Sequence, residues 1–236
     1  RSHPPHPLFY MNARLKDYKL SLDVRQVPDA ITCIFHSLLL HRTQAKFEYK
    51  TETNFGVGSI GIKEVDCDSI DLSYVRINSD ELAMRLDEDV RAFNEEVERS
   101  IRGRSSRDPP CQAHIGMEFF HRRRKGILSF YTDENTPWEQ WNFHLTINIC
   151  SDKDFASLRE TAAEAVSEIC LSVCSAINKN QYLPKMPNQK ELPDVFDVQY
   201  SDVQPYLFKI NRNKDTYSNT GISSTVKRVL KDTLFM

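Results

Sequence analysis

The sequence predicts an α+β fold, with three helices and with strands before, between and after them. Two periodicities predict it. Tyr18, Leu20, Leu22 and Val24 alternate with polar residues, and Trp141, Phe143, Leu145, Ile147 and Ile149 alternate again, the two-residue period of strands with one buried face. Three other stretches repeat apolar residues every three or four positions, the period of a helix that buries one stripe. The 236 residues, 40% of them hydrophobic, can bury a substantial core, and one domain is ordinary at this length.

Residues 1–10 hold three prolines and two histidines and read as a flexible extension or a remnant of expression, so the expected domain is 11–236. After the first strand, Pro28 suits a first helical turn and Asp29 the positive end of the helix dipole. Ile31, Ile34, Phe35, Leu38 and Leu39 then recur at helical spacing until His41 and Arg42, whose cations suit the negative end. From Phe47 to Val75, β-branched and aromatic residues broken by Gly56, Gly58 and Gly61 predict hairpins. Asn78 with Glu81 reads as a capping box ahead of Leu82, Leu86, Val90, Phe93 and Val97, the second helix. The polar break RGRSSRDPP precedes two strands, HIGMEFF and WNFHLTINIC, that flank HRRRKGILSFYTDENTPW. Phe155, Leu158, Ala162, Val166, Ile169, Val173 and Ile177 form the stripe of a third helix, expected at the centre of the fold. The proline-containing stretch YLPKMPNQKELPDVF is expected to wrap the domain, VQPYLFKI to form one late strand, and SSTVKRVLKDTLFM to end the chain as a short helix.

Charge and cysteines narrow the function. Thirty-one Lys and Arg against 33 Asp and Glu leave a net charge of -2, so no global basic field argues for nucleic acid. No apolar run is long enough to span a bilayer, and a cytoplasmic protein is the expectation. Six cysteines without CxxC spacing fit a reducing compartment and read as buried thiols.

Each motif that suggests chemistry has a blander alternative. GVGSIG matches GxGxxG, but no helical period follows it, so hairpin glycines are the better account than a nucleotide loop. Glu64, Asp66, Asp68 and Asp71 offer carboxylates for a metal-dependent nuclease. On a strand, Asp71 falls on the opposite face from Asp66 and Asp68, which favours a solvated or partner-facing strand. Cys111 and His114 lack the further ligands that zinc needs. Arg122, Arg123, Arg124 and Lys125 suit phosphates of nucleic acid or lipid, or form a solvated loop followed by Asp133 and Glu134. No catalytic residue, cofactor or metal is predicted. The apolar patch after the basic run, Ile127, Leu128, Phe130 and Tyr131, is either folded into the core or held for a partner.

Taken in order, RQVPDAITCIFHSLLLHR, VDCDSIDLSYVRI, TPWEQW, QYLPKMPNQKEL, DVQPYLFKI and LKDTLFM resemble the autophagy-related protein 101 family of HORMA-domain proteins. The resemblance runs from Met11 to Met236. It implies a HORMA domain, a mixed, mainly antiparallel sheet backed by three helices, held in an open-like state. It also implies a non-enzymatic adaptor of the autophagy-initiation kinase complex, a cytoplasmic protein recruited to sites of autophagosome formation. The implied partner is the HORMA domain of autophagy-related protein 13, with the end of the first helix, His41 and Arg42, and the strand near Glu64 and Asp66 as the pairing surface. The family carries a Trp-Pro-Phe finger that recruits downstream autophagy factors. Here GILSFYTDE stands in its place, longer and without the Trp-Pro pair, so Ile127 or Leu128 replaces the tryptophan and Phe130 or Tyr131 the phenylalanine. The basic run beside it allows a weak membrane contact. Two alternatives remain: a metal-dependent nucleic-acid enzyme using the carboxylates near Asp66 and the arginines near Arg123, or a HORMA peptide-binding adaptor of a spindle or DNA-repair pathway.

Overall fold

The computed structural model describes residues 14–127, 130–179 and 183–212, with backbone alone at 124–127 and 130–133. The expected N-terminal extension, the expected C-terminal helix and Leu128 lie outside the described residues. Among the described residues the main sheet has four strands, in the spatial order Arg14–Asp23, Phe130–Asn148, Cys111–Ile127 and Phe208–Arg212. Strand β1 (Arg14–Asp23) lies parallel to β8 (Phe130–Asn148), with Tyr18 opposite Phe143 and Leu22 opposite Ile147. Strand β7 (Cys111–Ile127) is antiparallel to β8 and to β10 (Phe208–Arg212), so the sheet is mixed and mainly antiparallel. The two alternations in the sequence are thus neighbours in space, their apolar faces turned to one core that includes Leu20, Leu22, Phe143, Leu145 and Ile147.

Helix α1 (Val27–His41), not the third helix, is the central one. Val27, Ala30, Ile31, Ile34, Phe35 and Leu38 are all at zero exposure. It is packed between α2 (Asp80–Ile101), α3 (Asp152–Asn178) and β6 (Ser73–Ile77). The stripe of α3 is real, with Ala162, Val166, Ile169 and Val173 buried, but its other side faces solvent, Leu171 most of all. A long stripe marks a helix lying on a core. A helix apolar over most of its surface is one lying inside it.

The entry to α1 is fixed by Asp23, buried at the end of β1. Its carboxylate accepts from the backbone N–H of Arg25 at 3.0 Å and of Cys150 at 2.8 Å, tying the ends of β1 and β8 together. The start of α2 departs from the capping box expected at Asn78. Ser79 is the cap, its Oγ accepting from the Leu82 N–H, while Glu81 reaches instead to the N–H and hydroxyl of Ser201. Serine supplies the same side-chain acceptor one position later, and Glu81 is drawn to donors on another segment.

The hairpin region holds β2 (Thr43–Ala45), β3 (Phe47–Tyr49), β4 (Phe55–Val57) and β5 (Ile62–Asp66). β3 pairs with β4 and β5 with β6. Gly56 lies within β4 and the glycines lead into β5 rather than into a helix, which removes the nucleotide-loop reading. The late strand splits in two. β9 (Val203–Pro205) pairs with β2, whereas β10 pairs with β7; between them the Tyr206 N–H donates to Arg42 O at 2.9 Å and the Leu207 N–H to Val195 O at 3.0 Å. The preceding segment lies along the β3–β4 hairpin, its Gln189 N–H donating to Glu52 O at 3.1 Å and Pro187 O accepting from Tyr49 Oη at 3.1 Å. It includes the short α4 (Leu192–Val195).

Candidate functional site

Two surfaces collect the residues singled out in the sequence. The first is built by β7 and β8. Among the described residues, β1 pairs with β8 from Glu139 onward, and β10 pairs with β7 up to Phe119. Beyond that, among the described residues, the two strands form a ladder only with each other, from Phe120 opposite Pro137, where the Phe120 N–H still donates to Leu207 O at 3.0 Å, to Ile127 opposite Phe130. These eight pairs make a two-stranded ribbon of about 26 Å at ~3.3 Å per residue. The stretch between the strongest strands is therefore their continuation, with only positions 128 and 129 between the strand ends. Backbone pairing places Ile127 opposite Phe130 and Gly126 opposite Tyr131 at the far end. Arg122 and Arg123 are exposed, and Arg123 stands opposite Glu134, Arg124 opposite Asp133 and Lys125 opposite Thr132. The basic run thus faces a partly acidic strand. Toward the root, Arg123 Nε donates to His121 Nε2 at 3.0 Å. Burial, and then the charge of Arg123, push the His121 pKa down.

The root of the ribbon is a bulge. The register shifts between Phe119 and Phe120, which pair with Glu139 and Pro137, so Trp138 is the extra residue on β8. An extra residue bends a strand and re-aims its side chains. Here both Trp138 and Glu139 are buried, at 3% and 1% exposure. Glu139 is met by Arg42 at the end of α1: Nε donates to Oε1 at 2.9 Å and a terminal nitrogen to Oε2 at 2.7 Å. Trp141 Nε1 donates to the same carboxylate at 2.8 Å, and the guanidinium lies 5.6 Å from the Trp138 ring. Arg42 accordingly serves the chain's own interior. A cation holding a buried bidentate carboxylate is not free for a partner surface. The sequence contains a sign of this pair: Glu139 extends the Trp141–Ile147 alternation by one step, and a carboxylate on a core face requires a cation.

The second surface lies on β5 and β6. Glu64 and Asp66 are exposed and point to the same side of β5, and Asp66 accepts from Ser73 Oγ at 2.5 Å. Among the described residues β5 pairs only with β6, leaving its other edge unpaired, with Ile62 at 67% and Val75 at 38% exposure. An unpaired edge with exposed apolar residues is a template for another chain. The other carboxylates do not converge on these two. Asp71 is held by Arg159 at 2.7 Å, and among the described residues no group of three or more His, Cys, Asp or Glu is arranged to hold a metal ion.

His41 turns away from Arg42. It is half-buried, with Nε2 at 3.3 Å from Cys174 Sγ on α3, and burial, then Arg42, lower its pKa. Cys111 contacts Ser100 Oγ at 3.3 Å, and the His114 ring lies 5.0 Å from that of His144, so the CxxH spacing serves two different neighbourhoods. Of the thiols, Cys33 alone is buried; the other five are partly exposed and all six are unbridged. Among the described residues no helix is long and apolar enough to cross a membrane.

The sequence has counterparts among known proteins. Residues 19–190 match the model of a family described as Autophagy-related protein 101. Proteins named Autophagy-related protein 101 from Xenopus tropicalis and Homo sapiens are 33% and 34% identical to this chain over 225 residues, covering 95% of it and 99% of each relative. The protein of that name from Arabidopsis thaliana is 22% identical over 138 residues, 58% of this chain and 54% of its own length.

Proposed function

This chain belongs to the autophagy-related protein 101 family, and from that premise we propose that it is a non-enzymatic adaptor of the autophagy-initiation kinase complex. It pairs with the HORMA domain of autophagy-related protein 13 through its own HORMA domain and stabilises it. At sites of autophagosome formation it presents the tip of the β7–β8 ribbon to downstream factors. The observation that carries this reading is the ribbon itself, eight cross-strand pairs beyond the last flanking strand. Among the described residues no further strand flanks most of this ribbon, and a two-stranded ribbon that extends past its sheet suits a segment used for contact. Pairing is assigned to the exposed Glu64 and Asp66 on the edge of β5 left unpaired among the described residues, together with the half-buried His41 at the end of α1. Arg42 leaves that set, since its charge is taken up by Glu139.

Calorimetry with the HORMA domain of autophagy-related protein 13 tests the pairing. Asp66→Arg and His41→Asp are each expected to weaken binding about tenfold or more, the first by reversing a charge at the interface and the second by placing a new carboxylate there. The exposed Asp66→Arg change should alter the chain's own stability by only about 0.5 kcal/mol. Unchanged affinity in both variants would remove β5 and the end of α1 from the interface.

A further inference from the structure

The seam between α1 and α3 carries a ladder of thiols and polar side chains, of which the adaptor role uses only His41 at its end. Cys33, Ser37 and His41 are spaced four apart on α1, so they share one face, and Cys170 and Cys174 are spaced four apart on α3. Cys33 Sγ lies 3.9 Å from Cys170 Sγ. Ser37 Oγ is 3.5 Å from Cys170 Sγ as a donor and 2.9 Å from Cys33 O, which fixes the geometry one turn further on. The last rung is His41 with Cys174.

We propose that Cys33 and Cys170 form a peroxide-driven disulfide, a modification site that covalently clamps the central helix α1 to α3. The sulfurs must close from 3.9 Å to a bond of about 2.05 Å, a movement within reach of side-chain rotation and a small helix adjustment. The two thiols are unequal. Cys33 is 1% exposed, whereas Cys170 is partly exposed and is the one an oxidant reaches. The hydrogen bond from Cys33 favours the Cys170 thiolate, with Ser37 adding to it, and the same bond and burial hold Cys33 protonated. The Cys170 thiolate attacks hydrogen peroxide, forming an S–O bond as the O–O bond breaks. The departing hydroxide takes a proton to leave as water, and Cys170 is a sulfenic acid. Cys33 then gives up its proton and its sulfur attacks Cys170. The S–S bond forms, the S–O bond breaks, and the hydroxyl leaves with that proton as a second water. Two thiols lose two electrons, and one peroxide is reduced to two waters. The link joins residues 137 positions apart, a long closed loop whose loss of freedom in the unfolded chain favours the folded one.

The experiment uses the full chain, reduced and then exposed to hydrogen peroxide, with remaining thiols alkylated before non-reducing digestion and mass spectrometry. The expected result is a Cys33–Cys170 linked peptide, an intact mass lower by one H2, a raised melting temperature, and reversal of all three by dithiothreitol. In Cys33→Ser the melting temperature no longer rises and dimedone traps a sulfenic acid on Cys170. In Cys170→Ser, Cys33 stays reduced at the same dose. A Cys67→Ser control should behave as the unaltered chain. A wild-type sulfenic acid on Cys170 with no link, a link only between Cys170 and Cys174 or between chains, or a Cys33–Cys170 link that forms only in urea overturns the proposal.

Discussion

Arg42 is a cation whose side chain is 4% exposed, facing a carboxylate that is 2% exposed. Taking two charges out of water is costly, and it is tolerated here because every strong group has a partner: both Glu139 oxygens are met by the guanidinium, Oε1 also accepts from Trp141 Nε1, and Arg42 donates a further bond to His41 O at 3.3 Å. Removing one member leaves the other as an unpaired buried charge. Arg42→Ala is therefore expected to destabilise the chain by about 3–5 kcal/mol. Arg42→Met combined with Glu139→Leu should cost much less than the two single changes summed, with a residual penalty of about 1–3 kcal/mol for the orphaned Trp141 N–H. Urea titrations check both, read as a shift of midpoint at constant slope. An Arg42→Ala chain as stable as wild type would mean that the pair opens to solvent. Sequence spacing placed Arg42 correctly at the end of α1, but which way its side chain turns depends on Glu139, 97 positions away.

The β7–β8 ribbon is where sequence and structure part most at the level of elements. The strands were legible as far as one face was buried, from Trp141 to Ile147, because only a buried face enforces alternation. Past the bulge at Trp138, Arg122, Arg123, Glu134 and Asn135 are exposed, so no buried face enforces alternation there and the pattern lapses into HRRRK and TDENT although the pairing continues. Tertiary choice hid the other shifts: the cap at Ser79 rather than Asn78, and the late strand divided at Pro205 between two sheets. The element assigned to contact yields a direct test. Replacing Leu128 and Phe130 together by alanine should leave the melting temperature almost unmoved and binding to the HORMA domain of autophagy-related protein 13 intact, while autophagosome formation in cells fails. Were these side chains folded back into a core, each truncation would cost about 2–5 kcal/mol. A thermal melt beside a pull-down separates the outcomes, and a large drop in melting temperature would sink the contact role.

At the scale of the molecule, a core wrapped around α1 sets how stability responds to acid. His36 on that helix is 3% exposed, stacked on Tyr74 at 5.7 Å between ring centres, and its pKa is lowered to about 4 by burial first and then by the charge of Arg76. Above pH 6.5, its ordinary value, both folded and unfolded chains carry it neutral, and its contribution is fully present. Between 6.5 and 4 the unfolded chain binds a proton that the folded chain refuses, so stability falls as pH falls; below 4 this contribution is flat. His41, His114 and His121, each lowered chiefly by burial, act in the same direction. Asp23 carries the decline further into acid: burial raises its pKa, but the hydrogen bonds from Arg25 and Cys150 outweigh it and hold the carboxyl below its ordinary value. Asp87, raised by burial, opposes them. From pH 7.5 to 4.5 the His36 share alone is expected to be about 2–3 kcal/mol, since each tenfold difference in proton affinity between the folded and unfolded chains is worth ~1.4 kcal/mol. Urea unfolding at both values measures the total. His36→Leu, which cannot titrate, should lose less stability over the same interval by about that share, whatever its stability at neutral pH. Equal losses in the two chains would show that the core admits the His36 proton without opening, and that the acid response lies with the half-buried histidines instead.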